Sequence, residues 1–325
     1  MKLKVKIFIV ALVLGVCCCT PKGENSLSGI TIIYDFSFAE LAIEYLETGN
    51  PEYLQEIYNL EAADHLINHA LLCGYNVSKI ELINHLLSPI DKQRELLPIF
   101  KKNLNFAKED LAKSGIIEKT TSQFLPADCI FSSTLFFTFG YNHAAYDNNC
   151  SINLADTVYL NMNNMNTMIY LAIHELHHIG FLMAKNGYAA PFVGITTYKE
   201  MLHLIEYCIH LEGMATYAPL GIIEQKNDMN TNKHYSAIRD LAVVEELEKE
   251  FFDIYYHFKN EPDNLLTQKD AYKFQVFNDI KGLQYIVGAH MAKTIDKNLG
   301  REKLISLISE PSENFTATYL ELKRQ

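Results

Sequence analysis

Tryptophan is missing from this chain, and so are a C-x-x-C pair, a serine-centred G-x-S-x-G elbow and a glycine-rich loop of the phosphate-cradling kind. The lack of tryptophan excludes nothing functional. The lack of C-x-x-C, with the cysteines widely spaced, weighs against a cysteine-built zinc site. The missing elbow and loop remove the common serine-hydrolase and nucleotide-binding readings. Positive charge is in short supply: 28 basic against 39 acidic residues leave a net charge of −11. A nucleic-acid binder needs a basic footprint, so that class is excluded, and an acidic surface mildly disfavours acidic substrates. No repeat period and no Pro/Gly/Ser-rich linker divides the chain beyond its N-terminal segment, which points to one unit rather than a solenoid.

A long membrane-spanning run is absent as well. Ile7–Val16 is an apolar stretch of ten residues behind the basic MKLKVK, and a spanning helix needs about 20 residues. Residues 1–18 therefore read as a secretory signal and residues 19–30 as a polar linker. Cys17, Cys18 and Cys19 close the apolar run and resemble the lipobox of bacterial lipoproteins, although Val16 stands where that motif takes Gly, Ala or Ser. The expected location is outside the cytoplasm, anchored to a bacterial membrane as a lipoprotein, otherwise periplasmic or secreted. Cys73, Cys129, Cys150 and Cys208 remain after processing, and an exported chain could pair them in three ways.

What is present is ample apolar material: 49% hydrophobic and 21% charged residues, enough for a large core and too ordered a composition for wholesale disorder. Residues 31–34 read as a strand and residues 36–114 as a series of helices broken at Gly49-Asn50-Pro51 and near Asn76-Val77-Ser78. Cys129–Met162 is rich in Phe, Thr, Ile, Val and Tyr between Gly and Asn clusters and predicts two or three strands. Helices are expected again at about 165–186, 197–218, 232–259, 266–298, 301–309 and 312–323. The fold class is mainly α (α+β), with a small sheet just before the helix at 165–186.

That helix carries His174-Glu175-Leu176-His177-His178 within an otherwise apolar run. Four residues along a helix leave His174 and His178 ~40° apart on one face, one turn apart in height, so both imidazoles can grip one ion. Glu175 stands one step round the helix, where it can reach a water without binding the metal. His177 points ~100° away from His178 and reads as a supporting or packing residue. Burying such polar groups is costly unless they have partners, in a metal or in hydrogen bonds within a core helix. His65 and His69 share the same spacing, but no glutamate follows His65; they read as helix-surface or interhelical polar groups.

A catalytic zinc takes three protein ligands. A metzincin continuation fails, because Phe181 and Ala184 occupy its Gly and His positions. Spacing alone leaves Glu206, His210 and Glu212 all open as the third ligand. Here the chain resembles a family. H-E-L-H-H followed by E-G-M-A-T-Y, Glu212–Tyr217, resembles the gluzincin zinc peptidases, and in particular bacterial zinc-dependent peptidases carrying H-E-L-x-H, E-G-x-A and a C-terminal Y-x-x-G helix. The likeness covers roughly residues 130–300. It implies a zincin-like core, one Zn2+ held by His174, His178 and Glu212, and Glu175 as general base. Thr216 stands where the thermolysin pattern has an Asp, and Glu212 lies further along the chain than that pattern has it.

The resemblance divides a zinc peptidase-like domain, 31–325, into an N-terminal helical part, 31–128, and a catalytic core, 129–325. It implies hydrolysis of peptide bonds in a peptide or protein substrate. The oxyanion donor is to be found among His234, Tyr285 and His290, with Tyr285-x-x-Gly288 favouring Tyr285 by likeness. By fold-level analogy Asn153–Met162 is expected to be a sheet edge that receives substrate. The competing reading is a non-catalytic surface lipoprotein that binds a partner and keeps zinc in a closed four-ligand site, with His210 or Glu206 joining Glu212.

Overall fold

The computed structural model describes residues 29–88, 90–156, 164–190 and 194–324. The expected signal, 1–18, and nearly all of the linker, 19–30, lie outside the described residues. Contacts group the chain into two units. Of the described residues, the first holds those up to Gln123 and Ala127–Gly180, the second Phe124–Pro126 and those from Phe181 onward.

The boundary at residue 180 differs from the expected division at 128/129, and the sheet is the reason. Strand β1 (Ile30–Asp35) pairs in parallel with β2 (Phe131–Thr138), Ile30 opposite Phe131, which ties the start of the helical region to the strands that follow it. β2 also pairs in parallel with β4 (Asn149–Asn153), and β3 (Ala144–Tyr146) runs antiparallel to β4, giving the order β1-β2-β4-β3. β2 is central and buried along most of its length, so it reads as the apolar run LFF rather than as strict alternation. The β3–β4 hairpin turns on Asp147-Asn148, both at positive φ (46° and 64°), the backbone of a type I′ turn that Asp and Asn tolerate.

Between β1 and β2 runs a helical crossover of the kind parallel strands require: α1 (Ser37–Thr48), α2 (Pro51–Tyr58), α3 (Glu61–Leu72), α4 (Lys79–Leu86), α5 (Ile90–Glu95), α6 (Leu97–Phe106), α7 (Ala112–Ser114) and α8 (Ile116–Ser122). Their ends follow local chemistry. Asn50 accepts from the Glu52 backbone ahead of Pro51, and Ser78 with Glu81 forms a capping box. Phe38, Ala39, Ala42, Ile43 and Leu46 form the buried stripe of α1, which lies against β2. Helix α9 (Asn166–Ala184) follows the sheet and carries the H-E-L-H-H motif.

The second unit is helical: α10 (Tyr198–Tyr217), α11 (Leu220–Gln225), α12 (Lys233–Arg239), α13 (Leu241–Lys259), α14 (Gln268–Gln275), α15 (Leu283–Leu299), α16 (Arg301–Ser309) and α17 (Glu313–Lys323). The helix expected over 232–259 is two, because Asp240 leaves the helical region (φ −96°, ψ 103°) and turns its carboxylate to the Ala242 backbone as the cap of α13. The one expected over 266–298 is interrupted by a wide π-type turn at Val276–Ile280 and by Gly282 at φ 60°. None of the four described cysteines is in a disulfide, so the bridges that an exported chain could have made are not formed among them. Among the described residues no helix is long and apolar enough to cross a membrane.

Candidate metal centre

In the first unit α9 is buried almost all round, and the motif side chains sit in that buried surface. His174 and His178 face each other with their Nε2 atoms 3.0 Å apart and ring planes at 87°. Two ligand nitrogens at the zinc–imidazole distance span a tetrahedral edge of about 3.3 Å, so the pair is already near the separation a bound ion imposes. Two neutral imidazoles facing this way can make one N–H···N hydrogen bond, and the same two nitrogens, both as lone-pair donors, can instead take one cation. The donor set therefore fits a zinc ion.

Glu175 is 8% exposed and lies close enough to β4 for its charge to act on Cys150. Burial, and then that carboxylate, pushes the Cys150 thiol well above its ordinary pKa. The carboxylate therefore lies in the neighbourhood of β4. His177, the neighbour that geometry set aside, is completely buried. Asn153, where the receiving edge was expected to begin, ends β4, a strand paired with β2 on one side and β3 on the other; residues 157–163 of that stretch lie outside the described residues.

In the second unit Glu212 sits on α10, and its charge raises the pKa of the buried Tyr207 and Cys208 beside it, in both cases after burial itself. The next residue, Gly213, meets Gly288 of α15. A Cβ on Gly213 would stand 2.5 Å from the Gly288 carbonyl carbon, and one on Gly288 would stand 2.6 Å from Gly213 Cα. The glycines of E-G-x-A and Y-x-x-G are thus one helix crossing, the most extensive helix pairing in this unit. Tyr217 closes the motif by donating to Asp296 (2.7 Å), which Arg301 also holds.

The other candidates on α10 point elsewhere. His210 stacks on Phe315 (4.6 Å) with Nδ1 3.3 Å from the Ser312 hydroxyl, and Glu206 accepts from Tyr255 (3.0 Å). Residues two or six apart on a helix lie on different faces, which counts against either joining Glu212. Burial raises the Glu206 carboxyl to about 6, against the Tyr255 hydrogen bond and helped by the Glu313 charge.

Of the three oxyanion-donor candidates, two come together. The His234 ring stacks on Tyr285 (4.6 Å, 9°) at the start of α15. Gly282 makes room for that stack, since a Cβ there would stand 2.9 Å from His234 Nε2. His290 faces a different group: its ring lies 6.0 Å from Tyr319, with Glu248 and Lys323 nearby, and burial lowers its pKa. In the first unit His65 and His69 are both buried rather than on a surface. His69 pairs with the Tyr141 hydroxyl (2.9 Å), and burial lowers their pKa values to about 3 and about 4. They are neutral core histidines.

The chain is mainly helical with a small sheet, and its His-Glu-x-x-His helix carries two imidazoles that could serve one divalent metal. Residues 55–325 match the model of the family described as "Putative zinc dependent peptidase (DUF5700)", and the chain belongs to that family. The match takes in most of the N-terminal helices, which the likeness read from motifs had left out. No curated protein and no solved structure matches the chain.

Proposed function

We propose that this chain is a zinc peptidase in which His174, His178 and Glu212 hold one Zn2+ and Glu175 is the general base. The single observation that carries the reading is the His174–His178 pair, with facing Nε2 atoms 3.0 Å apart and Glu175 buried at the adjoining position. When bound, the ion supplies Lewis acidity, lowering the pKa of a water towards ~7 and polarising a carbonyl. Glu175 takes the proton of the attacking water and passes it to the leaving amine. Tyr285, its ring held flat against His234, donates its hydroxyl to the oxyanion that develops on the scissile carbonyl. Glu212 is favoured over Glu206 and His210 because those two side chains are engaged with Tyr255 and with Ser312 and Phe315.

The test is metal analysis of the purified mature chain together with a peptide-library cleavage assay, with Glu175→Gln as control. A zinc content unchanged from wild type in the variant and a cleavage rate lower by ~10²–10⁴-fold is the expected outcome. A fully active Glu175→Gln chain would sink the mechanism. Export and lipid anchoring belong to the same proposal and rest on Ile7–Cys19. Mass spectrometry of the mature N-terminus should find an acylated cysteine, and an unmodified N-terminus would remove the anchor.

A further inference from the structure

A second constellation lies entirely within the helical unit. His203 and Glu206 are three residues apart on α10, ~60° round the helix from each other, and Glu313 is the first residue of α17. One ligand atom from each of the three lies within 4.8 Å of the others. Sequence reading weighed only Glu206 of the three, because a His-x-x-Glu pair completed from more than a hundred residues away has no local signature.

The surroundings set this trio apart from an ordinary surface group of acids. Glu206 is 6% exposed, and its carboxylate faces that of Glu313. Among the described residues no Lys or Arg comes within 4.0 Å of either carboxylate. The nearest cation acting on Glu206, Lys259, bonds the Tyr255 hydroxyl instead (3.0 Å). A buried carboxylate beside a second one is costly unless a cation compensates both. Two tyrosines hold the donors in place: Tyr255 donates to Glu206 (3.0 Å), and the Tyr188 hydroxyl lies 2.5 Å from His203 Nε2. A hydroxyl partner on each of these two side chains fixes its orientation, and each keeps a further ligand atom, His203 Nδ1 and Glu206 Oε2.

We propose that His203, Glu206 and Glu313 form a second divalent-cation site, which pins α17 to α10. One imidazole and two carboxylates suit a first-row transition ion such as Zn2+, whereas an all-oxygen set would suit Ca2+ or Mg2+. Half-buried His203 and exposed Glu313 leave the site open to solvent on one side, so the ion is exchangeable. The site is distinct from the one proposed at Glu212. His203 and Glu206 stand ~180° and ~120° round α10 from Glu212, so one ion cannot serve both. It does not depend on the peptidase reading.

The experiment is a titration of the metal-free full chain with Zn2+ against a colorimetric chelator, with Co2+ absorption as a second readout. Circular dichroism confirms that each variant is folded. The wild-type chain is expected to bind two ions, and His203→Ala and Glu313→Gln one each. His174→Ala should also bind one, at the other site. Glu313 is exposed, so its variant should fold even if His203→Ala does not. Two ions retained by a folded Glu313→Gln chain, or a single wild-type ion that only His174→Ala removes, overturns the site. A single ion that Glu313→Gln removes and His174→Ala leaves would uphold it and defeat the zinc-peptidase reading instead.

Discussion

Gly213 and Gly288 touch through their backbones, each occupying the space a Cβ on the other would need. Overpacking a close contact costs ~1–3 kcal/mol and can cost more where the obstacle is backbone rather than a flexible side chain. Gly213→Ala and Gly288→Ala are therefore each expected to lower the melting temperature, by ~2–4 °C per kcal/mol in a unit of this size. Gly221, in α11, has nothing within 4 Å of its would-be Cβ, so Gly221→Ala should leave stability unchanged or raise it by ~0.5–1 kcal/mol. Calorimetry on the three variants checks the contrast, and equal melting temperatures would refute the crossing.

That crossing shows how much was legible in advance. The helix pair at His174 and His178 is a matter of local periodicity, and the 3.0 Å approach of their Nε2 atoms is what four-residue spacing predicts. Resemblance supplied E-G-x-A and Y-x-x-G, but their physical meaning, two glycines of one crossing, depends on a contact 75 residues apart in sequence and needed the fold. The surroundings of His234, Tyr285 and His290 were not legible for the same reason. Helix phase separates His290 from Tyr285, while the partner of Tyr285 comes from α12. The sheet was read correctly as strands, but its pairing of β1 with β2 is non-local, so the expected division at 128/129 missed it.

Tyr285→Phe removes a hydroxyl and keeps the ring stacked on His234. If that hydroxyl stabilises the oxyanion, kcat should fall by ~10²–10³-fold with KM little changed, the signature of an interaction made in the transition state. His290→Gln, on another face of α15, should leave kcat within a few-fold. The reverse pattern would transfer the role to His290. Steady-state kinetics on the best peptide from the library makes the measurement.

The four described cysteines are free, and each has a reason to be unreactive. Cys73, Cys150 and Cys208 are buried, and burial raises the Cys150 and Cys208 pKa values well above normal. Cys129 is half-buried, with burial and then Asp128 raising it to about 11. A raised thiol pKa means less thiolate at a given pH and slower alkylation. Iodoacetamide at pH 8 is expected to label these four sites slowly in the native chain and rapidly after unfolding without reductant. A tryptic peptide joining any two of them would contradict the free-thiol assignment.

Asp270 gives the fold an acid-sensitive contact. Burial alone would raise its carboxyl pKa, but hydrogen bonds from Thr267, His257 and Tyr198 outweigh burial and lower it from its ordinary 3.8 to about 2. His257 Nε2 lies 2.7 Å from Asp270 Oδ1, and Tyr198 donates to the same oxygen (3.1 Å). The other oxygen accepts from the Thr267 backbone (2.8 Å) and hydroxyl (2.6 Å), capping α14. A pKa lower in the folded than in the unfolded chain means that folding favours the ionised form. The stabilisation is therefore complete above about pH 4–5 and is lost as pH falls through 3.8 towards 2. Asp270→Asn removes the charge but keeps the size, so its melting temperature should lie below wild type at pH 7 and converge on it as the pH approaches 2. A constant gap between the two curves from pH 7 to pH 2.5 would show that the ionised carboxylate contributes nothing.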